Sequence, residues 1–183
     1  MADTKITLMA SGPATGELPV SYGNMTLSLV DYVQLTLIAP FRGQTDEVSK
    51  ALKTAIGMGL PAVGKATQSK GTSIQWFGRG QYMLAGTEAP SILGAAITDQ
   101  SDGWVSLDLY GPEVAQVMAR LVPVDLRAKA FAEGTAIRTD LHGMMVAITR
   151  PGSDTVRIMG FRSMARSLTH TITDAMAHVA ALG

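Results

Sequence analysis

One segment, Ile97 to Leu126 (ITDQSDGWVSLDLYGPEVAQVMARLVPVDL), constrains the fold more than any other part of the chain. It places a turn, a strand, a second turn, a helix and a stop in succession. Asp99, Ser101, Asp102 and Gly103 supply the first turn: short oxygen-bearing side chains bond the local backbone, and glycine takes positive φ freely. From Trp104 to Tyr110 the residues alternate, with Val105, Leu107 and Leu109 on one face and Ser106 and Asp108 on the other. That alternation predicts a strand with one apolar face. Gly111-Pro112-Glu113 opens a helix, because proline has no N–H to leave unbonded in a first turn and glutamate favours the positive helix end. Val114, Val117, Met118 and Leu121 follow at helical spacing, and Pro123 forbids continuation.

The rest of the chain repeats this order of elements. Residues 1–24, rich in Ser, Gly, Pro and Thr, read as an extended N-terminal arm. A strand over Asp31–Ala39 then ends at Pro40. A helix follows, with Val48, Ala51, Leu52, Ala55 and Ile56 on one stripe, and Gly57, Gly59 and Pro61 stop it. Strands are predicted over Thr72–Phe77 and Gln81–Ala85, and a short helix over Ala89–Ala95. In the second half, strands over Thr135–Asp140, Met144–Arg150 and Thr155–Met159 lead to a final helix from Ser163. That helix carries Met164, Leu168, Ile172, Ala175, Met176, Val179 and Leu182 on one face. Pro40 answers Pro112, Pro61 answers Pro123, and Tyr82-Met83-Leu84 answers Val156-Arg157-Ile158. The shared order predicts a duplicated α+β unit: one domain over 25–183, with lobes over roughly 25–96 and 97–183.

Composition narrows the function. Without cysteine there is neither a disulfide framework nor a thiolate metal site. The longest apolar runs, Ile6–Ala10 and Met144–Ile148, are too short for a signal peptide or a bilayer span. The reading is therefore a soluble, cytoplasmic protein. Lys plus Arg and Asp plus Glu are both 15, so no field steers the chain to nucleic acid or an anionic membrane. Charged residues are only 16% of the chain, against about 25% in ordinary soluble domains, and mean hydropathy is +0.20. Either a Ser/Thr/Gly surface covers an apolar core, or partner subunits cover much of the surface; the scarcity of charge favours the second. A chain of this kind expressed alone is expected to dimerise or aggregate.

No constellation spells catalysis. Gly59-Leu60-Pro61-Ala62-Val63-Gly64-Lys65-Ala66 nearly matches a phosphate-binding loop, but Ala66 stands where a magnesium-holding hydroxyl belongs, and the segment follows a helix rather than a strand. His170, Asp174 and His178 share one face of the final helix, yet the two histidines lie roughly 12 Å apart along its axis, too far for one ion. His142 falls in a turn, and no G-x-S-x-G elbow supplies a nucleophile. Asp99, Asp102 and Asp108 read as turn caps and a polar strand face. Arg150, Arg157, Arg162 and Arg166, with Arg79 and Lys65, leave open an anion site that would suit a planar carboxylate; ordinary edge charges explain them equally. No catalytic, cofactor-binding or metal-ligating residue is assigned.

Thr98-Asp99-Gln100-Ser101, Gly111-Pro112-Glu113, Pro123-Val124-Asp125-Leu126, Ala130-Phe131-Ala132-Glu133-Gly134 and Arg138-Thr139, with the helix from Ser163, form an ordered series. Over roughly residues 70–182 this series resembles the gamma subunit of heterotetrameric sarcosine oxidase. The resemblance implies the fold of an aminomethyltransferase folate-binding domain: two β-β-α-β-β-β-α lobes that exchange their first strands. Aminomethyltransferases carry an acidic pair for one-carbon chemistry after a glycine-glycine turn, where this chain has His142-Gly143-Met144-Met145-Val146-Ala147. The resemblance thus implies a non-catalytic subunit packing against alpha, beta and delta partners. FAD, FMN, NAD and tetrahydrofolate would be held by those partners, and the complex would convert sarcosine to glycine, peroxide and 5,10-methylenetetrahydrofolate. This chain would also help wall a cavity through which a labile one-carbon intermediate travels. Two alternatives stand: a self-sufficient folate-binding protein of one-carbon metabolism, and the equivalent subunit of a related N-methyl amino acid dehydrogenase.

Overall fold

Each half of the chain completes the other half's sheet. The computed structural model describes residues 12–14 and 16–182. In chain order the strands are β1 (Val20–Tyr22), β2 (Met25–Leu29), β3 (Leu35–Pro40), β4 (Ala66–Ser69), β5 (Thr72–Gly78), β6 (Gln81–Ala85), β7 (Ala95–Asp99), β8 (Trp104–Tyr110), β9 (Ala136–Leu141), β10 (Met144–Gly152) and β11 (Thr155–Phe161). The helices are α1 (Thr45–Ile56), α2 (Val114–Met118) and α3 (Ala165–Leu182). Among the described residues one sheet has the order β1-β2-β8-β11-β10-β9 and the other β4-β5-β6-β3-β7. β2, from the first half, pairs with β8 through Leu27↔Leu109. β7, from the second half, pairs with β3 through Ile38↔Ile97. The sequence halves at 96/97 therefore do not coincide with the two sheets.

The two sheets face each other, and the helices lie outside them. Val48 and Leu52 of α1 pack on Ile38, Ile74 and Leu84 of the five-stranded sheet. Leu168, Ile172 and Met176 of α3 pack with Val117 and Met118 of α2 on Leu27, Leu107, Leu109 and Ile158 of the six-stranded sheet. Between the sheets, Leu35, Phe77 and Met83 meet Trp104, Ala147 and Met159. Alternation along β8 explains the layering: Val105, Leu107 and Leu109 face the helices while Trp104 and Ser106 face the opposite sheet. All five are buried, so the face read from sequence as solvent-side is an interior face.

Three further expectations change. The arm gives way to a strand at Val20–Tyr22, which turns at Gly23-Asn24 and pairs Val20 with Leu27; residues 1–11 and 15 lie outside the described residues. The helix expected over Ala89–Ala95 is a loop. Ile92 anchors it in the core at 9% exposure, and Gly94, at φ +89°, turns the chain into β7. The first half thus ends without the helix that α3 supplies to the second. Finally, β4 and β7 are strands where the sequence suggested connections.

Gly111 shows why the Gly-Pro start of α2 is glycine. Its φ is +140°, and a Cβ there would stand 2.5 Å from the Asn24 carbonyl oxygen and 2.5 Å from Met25 Sδ. Backbone cannot move aside as a side-chain tip can. Gly111→Ala is therefore expected to destabilise by about 2 kcal/mol or more, adding the clash to left-handed strain. Gly43→Ala, also at positive φ but with open space around it, should lose only the strain. Thermal melts of the two variants check the difference.

Candidate functional site

The inter-sheet layer has a polar part beside its apolar core. Interior-facing positions of β5, β8, β10 and β11 bring Ser73, Gln75, Asp108, Thr149 and Arg157 to one side of the aromatic and aliphatic inter-sheet core. Arg157 Nε and Nη2 each donate to Asp108 at 2.7 Å, a bidentate pair, and Nη1 donates to the Tyr32 hydroxyl. The two side chains are 17% and 21% exposed, which shields the pair from water and salt. Burial opposes the guanidinium charge, but the Asp108 and Tyr32 contacts outweigh it and raise the Arg157 pKa. Gln75, buried, directs its amide to Met159 Sδ at 3.2 Å. Beside them lies a cavity of about 280 Å³ lined by Thr67, Ser73, Gln75, Glu133, Thr149 and Arg157, among others. Next to it a wider cleft runs along Asp31, Tyr32, Lys70 and Thr72. Hydroxyls and amides of Thr67, Gln68, Ser73, Gln75 and Thr149 share the cavity's lining with apolar and charged residues. Arg157, whose donors are engaged by Asp108 and Tyr32, positions the strands.

Of the candidate arginines and Lys65, only Arg150 and Arg157 are part of this cavity's lining. Arg150 is buried and donates to the carbonyls of Leu126 and Ser153, pinning a loop on the helix side of its sheet. Arg166 pairs with Glu17 at the exposed start of α3. Arg79 sits in the β5–β6 turn and Arg162 in the turn before α3. Lys65, in turn, forms an isolated bridge with Thr135. Residues 59–66 serve a different purpose from phosphate binding: they stitch the halves together. Leu60 N–H bonds Ser49 Oγ, Ala136 N–H bonds the Gly64 carbonyl, and Ala66 N–H bonds the Gly134 carbonyl.

His170 and Asp174 stand 3.5 Å apart on an exposed helix face. Among the described residues, no three His, Asp or Glu side chains gather closely enough to hold a metal. His142, at φ +48°, forms the β9–β10 turn with Gly143, and its Nε2 lies 3.1 Å from the Arg120 carbonyl. After it, Met144, Val146 and Ala147 are buried on both faces of β10. Asp99 accepts bonds from the Ser101 hydroxyl and N–H, which lower its pKa; that hydroxyl in turn accepts Leu35 N–H. Asp102 remains a turn residue. Sequence reading missed Arg138, whose guanidinium lies 4.5 Å from the Phe77 ring centre and 5.3 Å from that of Trp104. Arg138, Phe77 and Trp104 sit on three different strands, so no local pattern could announce the cluster.

No family model matches the chain. Over 143 residues, 72% of this chain and 70% of the relative, it is 34% identical to sarcosine oxidase subunit gamma of Corynebacterium sp. (strain U-96). This chain belongs to the sarcosine oxidase gamma-subunit family. The corresponding subunit of Corynebacterium sp. (strain P-1) is 32% identical over 142 residues, 71% of this chain and 70% of that one. The fold also matches a chain of the heterotetrameric sarcosine oxidase from Corynebacterium sp. U-96 solved in complex with pyrrole 2-carboxylate. The TM-score is 0.81 at 28% identity, covering 93% of this chain and 96% of that one.

Asp108→Ala leaves a half-buried guanidinium without its carboxylate and should lower stability by roughly 2–4 kcal/mol. Asp108→Ala/Arg157→Met should recover much of that loss, so a denaturant double-mutant cycle reads the coupling directly. A second outcome concerns Asp125, held at a pKa of about 2 by the Arg127 side chain and backbone N–H. A depressed carboxylate pKa stabilises the fold above the unfolded value near 4. That contribution disappears as pH falls from about 4 to about 2. The stability gap between the wild type and Asp125→Asn should therefore close across that window in melts at low salt.

Proposed function

We propose that this chain is a non-catalytic subunit of a heterotetrameric sarcosine oxidase, packing against alpha, beta and delta partners. The observation that carries the reading is the fold match along nearly the full length of both chains to a component of such a complex. In this reading FAD, FMN, NAD and tetrahydrofolate reside in the partner subunits. The complex oxidises sarcosine to glycine, reduces oxygen to peroxide and passes the one-carbon unit to tetrahydrofolate. The low charge content, 16%, fits a surface largely covered by neighbours. No helix among the described residues is long and apolar enough to cross a membrane; a cytoplasmic location belongs to the proposal.

A second reading, a chain that binds a reduced folate unaided, draws support from the inter-sheet cavity of about 280 Å³. One preparation separates the two. A tagged chain purified from its native host should co-elute with its partners and show flavin absorbance near roughly 450 nm, the cofactor's own band. A colourless chain eluting alone would overturn the subunit reading. Heat on titration of that lone chain with a reduced folate would then favour the second.

A further inference from the structure

The internal repeat allows one half of the chain to be compared with the other, strand by strand. β7 and β2 are equivalent: each opens a half and pairs with the second strand of the opposite half. Likewise β3 matches β8, and β6 matches β11. Ile38 pairs with Tyr82 and Ile97, as Leu109 pairs with Val156 and Leu27. Ile97 is thus the counterpart of Leu27. Leu27 is 0% exposed, whereas Ile97 is 39% exposed.

Two covers account for the difference. Leu27 shares a core cluster with α3 and carries β1 on its outer side through Val20. Among the described residues β7 has no strand on its outer side, and residues 86–94 form a loop where α3 stands in the other half. Gln100 N–H bonds the Leu35 carbonyl and Phe41 N–H bonds the Gly94 carbonyl. By antiparallel alternation the N–H and C=O groups of Ala95, Ile97 and Asp99 point away from β3, to the free edge. β7 has no proline, lysine or bulge to guard that edge. Beside it Leu93 is 94% exposed and Phe41 is 56% exposed, and no charged residue occurs from Ala89 to Thr98.

We infer that β7 is a docking edge, taking an extended, apolar segment of a partner subunit as an added antiparallel strand, the role β1 plays for β2. The inference rests on the oxidase-subunit reading. Charge selects the occupant. The edge's one charge is the Asp99 carboxylate, so the incoming strand carries a Lys or Arg at that register and an apolar residue over Ile97. A second copy of this chain paired about Ile97 would set Asp99 against Ala95, with no charge match.

The test uses the tagged chain co-expressed with its partner subunits. Ile97→Asp places a charge on the edge, and Ile97→Pro removes an outward N–H while leaving the ladder to β3 intact. Each should lower partner recovery and flavin absorbance at least tenfold. Val63→Asp, at an exposed apolar position in the turn before β4, remote from β7 in the sheet order, should leave both unchanged. Amide exchange, which needs no variant, should slow at least tenfold at Ile97 and Asp99 when the isolated chain enters the complex. Wild-type recovery by the Ile97 variants, or unchanged exchange on assembly, overturns the docking edge alone. Variants that alter only self-association in light scattering make the occupant a second copy and also overturn it. A wild-type chain that recovers no partner overturns the subunit reading together with this inference.

Discussion

The ladder between β2 and β8, with its counterpart between β7 and β3, is the constraint from which the remaining structure follows. Each pairing joins residues from opposite halves, so neither sheet closes until both halves are present. Once closed, the sheets present two interior faces to each other, and Leu35, Phe77, Met83, Trp104 and Met159 fill the space between them. The helices then need to cover only the outer faces. Backbone hydrogen bonds at the 64/136 and 66/134 junctions add a second seam between the halves. Non-local ladders of this kind are expensive in loop entropy, and dense apolar packing on both faces of each sheet offsets it.

The same arrangement explains the chemistry of the interior. A sheet covered on both sides must bury its polar positions or pair them. Asp108 and Arg157 are paired in this way, with Tyr32 completing the arginine's bonds. Arg138 lies against the Phe77 and Trp104 rings and donates to the Phe77 carbonyl. These groups hold the sheets in register, and beside them lies a cavity of mixed polar and apolar lining.

Much of this was legible in the residues, and the gaps have physical causes. Alternation located β8 and helical spacing located α1 and α3, because one strongly apolar face leaves a periodic mark, while β10 showed as a continuous apolar run buried on both faces. Pro40 and Pro112 marked equivalent strand ends, since proline restricts the backbone wherever it stands. β7 escaped because Ala95–Asp99 is short, half-exposed and supported by a partner strand remote in sequence. The environment of Ser106 and Asp108 was misread because alternation separates two faces but cannot say what lies beyond either. The stretch 59–66, where Ala66 already argued against a phosphate loop, is a chain crossing between sheets that glycine and proline serve. The arginines at 150, 157, 162 and 166 are spread because each falls on a different element: β10, β11, the turn before α3 and α3 itself.

The strand exchange also sets a timetable for the growing polypeptide. β2 leaves the ribosome about eighty residues before the strand it must pair with, Leu27 meeting Leu109. At roughly 5–20 residues per second the delay lasts several seconds. Throughout it Met25 and Leu27, later among the most deeply buried side chains, have no native sheet to join. The topology thus keeps these apolar side chains without their β8 partners until the second half of the chain has emerged.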